Sequence, residues 1–313
     1  MAIPTQPQPA APDAAAPARP AAGPRGGGAD TPGYVRGDDL PGLLTPTSRP
    51  ARVLRIRGGV RAPGPEDDVL AEETPIALEY NGISHATMLA TPADLEDFAV
   101  GFSLTEGIIE GARDVRDIET RPGAAGIVLA LTISSACAAR LKERRRAMSG
   151  RTGCGLCGVE TLPEVLRDTP PVAAGTAVPA RAVLDAMRAM RQRQPLHAQT
   201  GATHAAAWAG ADGVPGLVRE DVGRHNALDK LIGALARRAD GAPPAHSGLI
   251  AVSSRASFEM VQKTAAAGVG ILAAVSAPTA LAQRLAERLN IALLGFMRDD
   301  DATLYTHAER IRA

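Results

Sequence analysis

Cysteine and aromatic residues are both scarce in this chain of 313 residues. Its 3 cysteines are too few for a disulfide framework in a chain of this length, so we expect reduced thiols and a cytoplasmic protein. Aromatic residues make up 3% of the sequence, whereas hydrophobic residues make up 45%. The core is therefore expected to consist mainly of alanine, valine, leucine and isoleucine, which suits tightly packed α/β layers.

An excess of charge of either sign is also missing, since 34 lysines and arginines balance 34 aspartates and glutamates. This balance predicts neither general nucleic-acid binding nor attachment to an anionic membrane surface, so any anion site must be local. The N-terminal stretch has no basic segment followed by an apolar run, and no secretory signal is predicted. The uncharged run between Lys263 and Arg284 contains glycine and proline, which favours a buried strand between two helices over a membrane span.

Composition divides the chain into three parts. Residues 1–50 are rich in proline, alanine and glycine and are predicted to form a disordered tail. Residues 51–150 are interpreted as an N-terminal α+β part that leads into a cysteine-containing loop. Residues 151–313 are interpreted as an α/β part that binds a ligand. The alternative is one continuous domain from residue 51 onward.

Local patterns predict the first elements after the tail. A strand is expected at residues 52–57, where the chain reads "RVLRIR". Asn81-Gly82 suits a type I′ turn and therefore predicts a β-hairpin. Directly afterwards a helix is expected, with Thr91 as its cap, Pro92 in the first helical position and Asp94 completing a capping box.

Further along, the segment at 126–133 predicts a strand, and residues 138–148 predict a basic helix that enters the cysteine loop. Residues 179–194 predict a helix with Val183, Met187 and Met190 on its buried side. From residue 203 onward, strand and helix patterns alternate as far as residue 297. This alternation predicts an α/β sheet with parallel members and helices on its faces.

Cys154 and Cys157 lie three residues apart in a glycine-rich loop, "GRTGCGLCGVE". A structural zinc site is the weaker interpretation, because neither the distant Cys137 nor the "HAE" segment at 307–309 completes four ligands in the order that zinc sites use. A thioredoxin-type switch places its cysteines at a helix start after a strand, whereas this pair follows a basic helix. A mobile thiolate that carries sulfur as a persulfide fits the loop better. The upstream "KERRR" would favour the thiolate if it lies close, or is an ordinary solvated helix face.

Basic residues follow the ends of several predicted strands. Arg224 and His225 open one predicted helix, Arg255 precedes the next helix, which carries Lys263, and Arg298 closes the strand at 291–297. Ligands of open α/β sheets bind outside the carboxyl ends of strands, and helix N-termini favour phosphate. We therefore predict a phosphorylated ligand, although each arginine alone would be read as a surface ion-pair partner. No Walker loop or GxGxxG motif indicates ordinary ATP or NAD binding.

Seven stretches together resemble the FdhD family, the sulfur-transfer accessory proteins of formate dehydrogenase. They are "NGISHATMLATPADLEDFAVGFSLTEGII", "GCGLCG", "TGATHAAAW", "EDVGRHNALDKLIG", "SRASFEMVQKTAAAG", "SAPTALAQRLAE" and "GFMRDDDATLYTHAERI". The resemblance implies a cytidine-deaminase-like layered sheet with helices on its faces, a smaller N-terminal α+β part, and a homodimer.

The same resemblance implies the chemistry. A cysteine desulfurase would pass sulfur to Cys154 as a persulfide, with Cys157 assisting. The protein would then transfer the sulfur to molybdenum in bis-molybdopterin guanine dinucleotide, bound as a substrate, before this cofactor enters formate dehydrogenase. No metal bound directly by the protein is implied. The cofactor site would include the C-terminal stretch Phe296, Met297, Arg298, Asp299, Asp300 and Asp301.

Two departures from the family pattern affect this site. Ser254 stands where a glycine is expected, and the carboxylates of Asp299, Asp300 and Asp301 are expected to repel a pyrophosphate. The rival hypothesis is a non-catalytic chaperone that binds and protects the cofactor for formate dehydrogenase. The cysteine pair discriminates the two, because such a chaperone needs no Cys-x-x-Cys.

Overall fold

The structure is a computed structural model that describes residues 45–149, 169–173, 175, 177–238 and 245–313. These residues all belong to one compact unit, Gly37–Ala313. Cys154, Cys157 and the predicted tail as far as residue 44 lie outside the described residues.

A four-stranded sheet with the order β6-β5-β8-β7 forms the first layer of the described chain. Asn81 and Gly82 both have positive φ, 48° and 79°, so the predicted hairpin with its type I′ turn is confirmed. The predicted strand at 126–133 is also confirmed. The strands are β5 (Thr74–Tyr80), β6 (Ile83–Ala90), β7 (Val115–Gly123) and β8 (Gly126–Ile133).

Two short ribbons precede this sheet. β1 (Ser48–Val53) pairs antiparallel with β4 (Glu66–Ala71), and β2 (Ile56–Arg57) pairs with β3 (Val60–Arg61). The single strand predicted at 52–57 is therefore wrong in its bounds. The extra residues at its start are held by pairing with β4, a contact that local sequence does not reveal.

The second layer is a six-stranded sheet with the order β11-β10-β12-β13-β14-β15. β12, β13 and β14 are parallel, whereas β10, β11 and β15 pair antiparallel with their neighbours. The predicted sheet with parallel members is confirmed. Its strands are β10 (His204–Ala209), β11 (Pro215–Asp221), β12 (Leu249–Val252), β13 (Ile271–Ala274), β14 (Ala292–Arg298) and β15 (Asp301–Leu304).

Helices cover both faces of the six-stranded sheet, and the alternation of side chains along each strand decides which helix they meet. In β10, Ala205 and Ala207 pack with the buried side of the helix Ala180–Gln192 (α3), while Ala206 and Trp208 pack with the helix Arg224–Ala236 (α5). Val183, Met187 and Met190 are buried in α3, as predicted. The helices are α1 (Leu95–Thr105), α2 (Ser135–Ser149), α3 (Ala180–Gln192), α4 (Pro195–Thr200), α5 (Arg224–Ala236), α6 (Phe258–Ala266) and α7 (Ala280–Arg288).

α1 and α5 join the two sheets by packing backbone against backbone. A Cβ atom built at Gly101 would lie 1.7 Å from Asp229 O, and one built at Gly233 would lie 1.8 Å from Asp97 O. Only glycine allows so close a crossing of two helices. A short parallel pair, β9 (Val178–Pro179) and β16 (Ile311–Arg312), completes the fold.

The predicted capping of α1 by Thr91 and Asp94 is wrong. Asp94 precedes the helix with a left-handed φ of 53°, and its side chain accepts no capping hydrogen bond. The Thr91 hydroxyl instead accepts a hydrogen bond of 3.1 Å from Val222 N. Thr91 is fully buried, so a tertiary partner satisfies the oxygen that local sequence would assign to the helix.

Among the described residues, no helix is long and apolar enough to cross a membrane.

Candidate anion-binding site

The ends of five neighbouring strands meet at one edge of the six-stranded sheet, which we call the carboxyl edge. The parallel strands β12, β13 and β14 end there. Because β10 runs antiparallel to β12 and β11 antiparallel to β10, the start of β10 and the end of β11 lie at the same edge. His204 therefore pairs with Asp221, and Ser253 N donates a hydrogen bond of 3.0 Å to Ala205 O.

Arg224 is held at this edge by the turn between β11 and α5. Asp221 Oδ1 accepts hydrogen bonds from Gly223 N at 2.7 Å and from Asn226 Nδ2 at 3.1 Å. These bonds begin the helix at Arg224, whose side chain is partly exposed. It makes no hydrogen bond or ion pair with any other described residue. Its guanidinium therefore remains available to an anion from outside the described chain.

His225 already has an anionic neighbour. Its Nε2 lies 2.7 Å from Glu259 Oε2 at the start of α6, and this contact lowers the pKa of the Glu259 carboxyl. The structure thus places Arg224 and His225 side by side, as predicted, but it directs His225 toward a carboxylate of its own chain.

Arg255 lies in the loop between β12 and α6, and its side chain is exposed. It too has no hydrogen bond or ion pair among the described residues. Ser254 points inward, is 7% exposed and donates to Arg255 O at 3.0 Å. The serine in place of the expected glycine therefore does not block the edge. Ser257 lies two residues after Arg255. Its Oγ is buried without a hydrogen-bond partner in the described chain, so this loop also contains an unsatisfied polar group.

Lys263 is held away from the carboxyl edge. Its Nζ lies 2.8 Å from Asp229 Oδ1 and 2.9 Å from Thr105 Oγ1, and its side chain is 12% exposed. Asp229 is buried, and burial raises the pKa of its carboxyl, while Lys263 acts in the opposite direction. Lys263 therefore serves as counter-ion to Asp229 between α1, α5 and α6.

The predicted cofactor stretch forms the end of β14 and the turn into β15. Phe296 is 45% exposed with a φ of 53°, whereas Met297 is 1% exposed and packs toward α3. The other four members of the stretch are exposed: Arg298, Asp299, Asp300 and Asp301. Arg298 has no hydrogen bond or ion pair to another described side chain. Three aspartates of this stretch were expected to repel a pyrophosphate. One of them, Asp300, forms ion pairs with two arginines of α3.

Sequence reasoning missed His204 and Ser253 as members of the edge. His204 Nδ1 lies 3.3 Å from Ser253 Oγ. Burial lowers the pKa of His204, and the nearby Arg224 charge lowers it further, so the imidazole is neutral near pH 7. Only the antiparallel pairing of β10 brings the first residue of that strand to the carboxyl ends of the others. A histidine at the start of a strand was the sole signal.

The chain leaves and re-enters the described structure on either side of the cysteine pair. α2 ends at Ser149, and the chain resumes near Val172, whose N donates to Leu289 O at 2.9 Å. Leu289 precedes β14, so Val172 lies at the edge opposite the carboxyl edge.

The third cysteine, Cys137, is 1% exposed within the core of the four-stranded sheet. The described residues contain no group of three or more histidine, cysteine, aspartate or glutamate side chains that could hold a metal ion.

The family is decided by sequence comparison. A profile of the FdhD/NarQ family matches residues 71–312. The chain belongs to the FdhD/NarQ family. The resemblance seen in the seven motifs is thereby confirmed.

Individual relatives match along most of their length. The sulfur carrier protein FdhD of Bordetella petrii is 69% identical over 262 residues, which cover 84% of this chain and 93% of the relative. The proteins of the same name from Variovorax paradoxus and Cupriavidus necator are 56% and 54% identical, covering 83% and 85% of this chain and 93% and 91% of the relatives.

A solved structure shares the fold. The crystal structure of a formate dehydrogenase accessory protein from Desulfotalea psychrophila superimposes with a TM-score of 0.68 at 25% identity. The match covers 85% of this chain and 100% of the other. The mixed α/β architecture is therefore shared with that protein.

Proposed function

We propose that this protein is a sulfur carrier for formate dehydrogenase, which accepts sulfur from a cysteine desulfurase and transfers it to bis-molybdopterin guanine dinucleotide. The observation that carries the proposal is the carboxyl edge, where Arg224 and Arg255 have no partner among the described residues. Such an edge is suited to the phosphates of a dinucleotide. The names of the relatives, which call them sulfur carriers, support the sulfur chemistry.

The first step is thiol–persulfide exchange. The Cys154 thiolate attacks the terminal sulfur of the desulfurase persulfide, the donor sulfur–sulfur bond breaks, and the desulfurase thiolate leaves. The transferred sulfur keeps its oxidation state, so no oxidant or reductant is consumed.

Release of this sulfur as sulfide takes two electrons. Cys157 supplies them when its thiolate attacks the Cys154 sulfur, because a disulfide forms between the two cysteines as sulfide departs toward the molybdenum. A cellular dithiol then reduces the disulfide and resets the pair. The spacing of the two cysteines is that of a redox pair.

The carboxyl edge and the end of β14 supply the binding site in this proposal. Arg224, Arg255 and Arg298 contact the phosphates, and Ser257 Oγ, which is buried without a partner in the described chain, donates to a phosphate oxygen. Phe296, which is exposed, flanks the same ligand, and the buried Met297 supports it from the side of α3. His225 and Lys263 contribute less positive potential than these arginines, since each already contacts a carboxylate of the protein.

Further parts of the proposal follow from the family. The protein is a cytoplasmic homodimer with cytidine-deaminase-like layering, and it acts as a sulfurtransferase. It meets the desulfurase and formate dehydrogenase in turn.

Intact-mass analysis after incubation with a cysteine desulfurase and cysteine tests the function. We expect the wild type and Cys137→Ala to gain one sulfur atom, and Cys154→Ala to gain none. In cells whose only copy carries Cys154→Ala, formate dehydrogenase should be inactive. Normal activity in those cells, with cofactor still bound by the purified protein, would instead support the non-catalytic chaperone.

A further inference from the structure

The turn that carries Arg298 has an unusual backbone. Two non-glycine residues of this turn have left-handed φ values: Phe296, before Arg298, with 53°, and Asp299, after it, with 48°. The pairing of β14 with β15 shifts between Gly295 and Arg298 and resumes where Arg298 faces Asp301. Bulky residues adopt this conformation only where the surroundings hold them there, and such sites are frequently functional.

Helix α3 provides what holds this turn. Arg191 Nη2 donates to Met297 O at 3.1 Å, and Arg188 Nη2 donates to Asp299 O at 3.1 Å. Both carbonyls belong to residues adjacent to Arg298 in the chain. The two guanidinium groups therefore hold the carbonyl groups before and after Arg298. The backbone of Arg298 has little freedom to move as a result.

The same helix also neutralises the turn. Arg188 forms a close ion pair with Asp300, and Arg181 Nη1 lies 3.1 Å from Asp300 Oδ1. Asp185 lies between these two arginines on the helix, 3.1 Å from Arg181 Nε and 2.6 Å from Arg188 Nη1. Asp185 thus orients both arginines toward the turn.

We propose that Arg188, assisted by Arg181 and Arg191, is a positioning residue for the Arg298 anion contact. It fixes the left-handed turn, and it offsets the Asp300 charge that would otherwise repel a diphosphate. The inference rests on the proposed function, because it takes Arg298 to contact the diphosphate of the bound dinucleotide. Arg188 itself touches the protein and not the ligand.

Calorimetric titration of GDP against variants of the full chain tests the inference. Arg188→Gln should weaken GDP binding by about tenfold, since residues in one charge network couple strongly. Arg181→Gln should weaken it less, because Arg181 has one contact with the turn and its side chain is 66% exposed. Arg284→Gln, an exposed arginine of α7, is the matched control and should bind GDP as the wild type does.

A double variant separates positioning from general stabilisation. Arg188→Gln with Asp300→Asn should recover part of the lost affinity, because the unpaired carboxylate is gone, and the loss in Arg188→Gln should shrink as salt rises. Hydrogen exchange of the amides at 296–303 should quicken in Arg188→Gln while the melting temperature changes little.

Three results would overturn the inference. They are wild-type affinity in Arg188→Gln, no recovery of affinity in the double variant, and GDP binding that is unchanged by Arg298→Gln. If the wild type binds no GDP at all, the inference and the guanine-end binding fail together. Persulfide loading of Cys154 would still decide the sulfur-carrier function separately.

Discussion

Lys230 Nζ lies 2.7 Å from Asp221 Oδ2, and both side chains have 0% exposure. The same carboxylate oxygen accepts a hydrogen bond of 3.0 Å from Thr91 N, and Lys230 donates to Thr91 O at 2.8 Å. This ion pair therefore ties the end of β6 to the end of β11 and to α5. Since Asp221 also shapes the turn before Arg224, the pair supports the turn that holds Arg224 at the carboxyl edge.

Removing one member of this pair should be costly. Lys230→Met leaves the Asp221 carboxylate buried without its counter-ion, and we expect a loss of about 3 to 5 kcal/mol in the free energy of unfolding. Adding Asp221→Asn should restore part of it. Urea denaturation measures both, with the exposed Lys142→Met as the control, which should stay within about 0.5 kcal/mol of the wild type. A Lys230→Met protein as stable as the control would show that the pair contributes nothing.

The crossing of α1 and α5 should not tolerate a methyl group. Gly233→Ala places its Cβ against Asp97 O, and we expect a loss of about 3 kcal/mol or more, because two helix backbones must separate. Gly64→Ala is the control, since nothing lies within 4 Å of its new Cβ. Thermal and urea unfolding of both variants provide the comparison. Equal stability would mean that the helices separate at no cost.

The two arginines of the carboxyl edge that have no partner among the described residues should determine nucleotide affinity. Arg224→Ala and Arg255→Ala should each weaken GDP binding roughly tenfold, as expected for one lost charge-assisted contact. ADP should bind less well than GDP if hydrogen bonds read the guanine edge. Calorimetry gives the affinities, and Arg284→Ala serves as the control. Indifference to both edge arginines would place the nucleotide elsewhere.

Stability should fall slightly with rising pH because of His307. Burial lowers the pKa of His307, but hydrogen bonds to Glu287 O at 2.9 Å and to Glu309 Oε1 at 3.0 Å outweigh burial and leave the pKa raised. The folded state thus holds this proton more tightly than the unfolded chain does. The stabilisation is complete below the ordinary histidine pKa of about 6.5 and is lost as pH rises through the raised value.

The change in melting temperature between about pH 6 and pH 8.5 measures this effect. We expect the decrease to be smaller in His307→Gln than in the wild type. The same decrease in both proteins would assign the pH dependence to other groups.

Some elements were predictable because their causes are local. Asn81-Gly82 adopts positive φ without help from the rest of the chain, and the alternation after residue 203 reports which faces of each segment are buried. Four apolar residues that recur at helical spacing along α1 are buried: Leu95, Phe98, Ala99 and Phe102. Such patterns depend on a few neighbouring residues, which the sequence displays directly.

The candidate site was predictable only in outline. Basic residues after successive strands indicated an anion site, because parallel strands bring their ends together. The sequence did not reveal that Lys263 has Asp229 as its counter-ion or that Arg188 reaches Asp300, since these partners are separated by 34 and 112 residues. His204 was missed for the same reason, as an antiparallel pairing moved it to the edge.

The sequence by itself therefore determined the family, the order of strands and helices from residue 203 to 297, and the types of residue available for sulfur and phosphate chemistry. The tertiary structure decided which cations of the described residues are held by carboxylates and which have no such partner there. Thr91 illustrates the physical reason. Its oxygen can satisfy a local helix or the turn after β11, 131 residues away, and burial against that turn favours the distant partner.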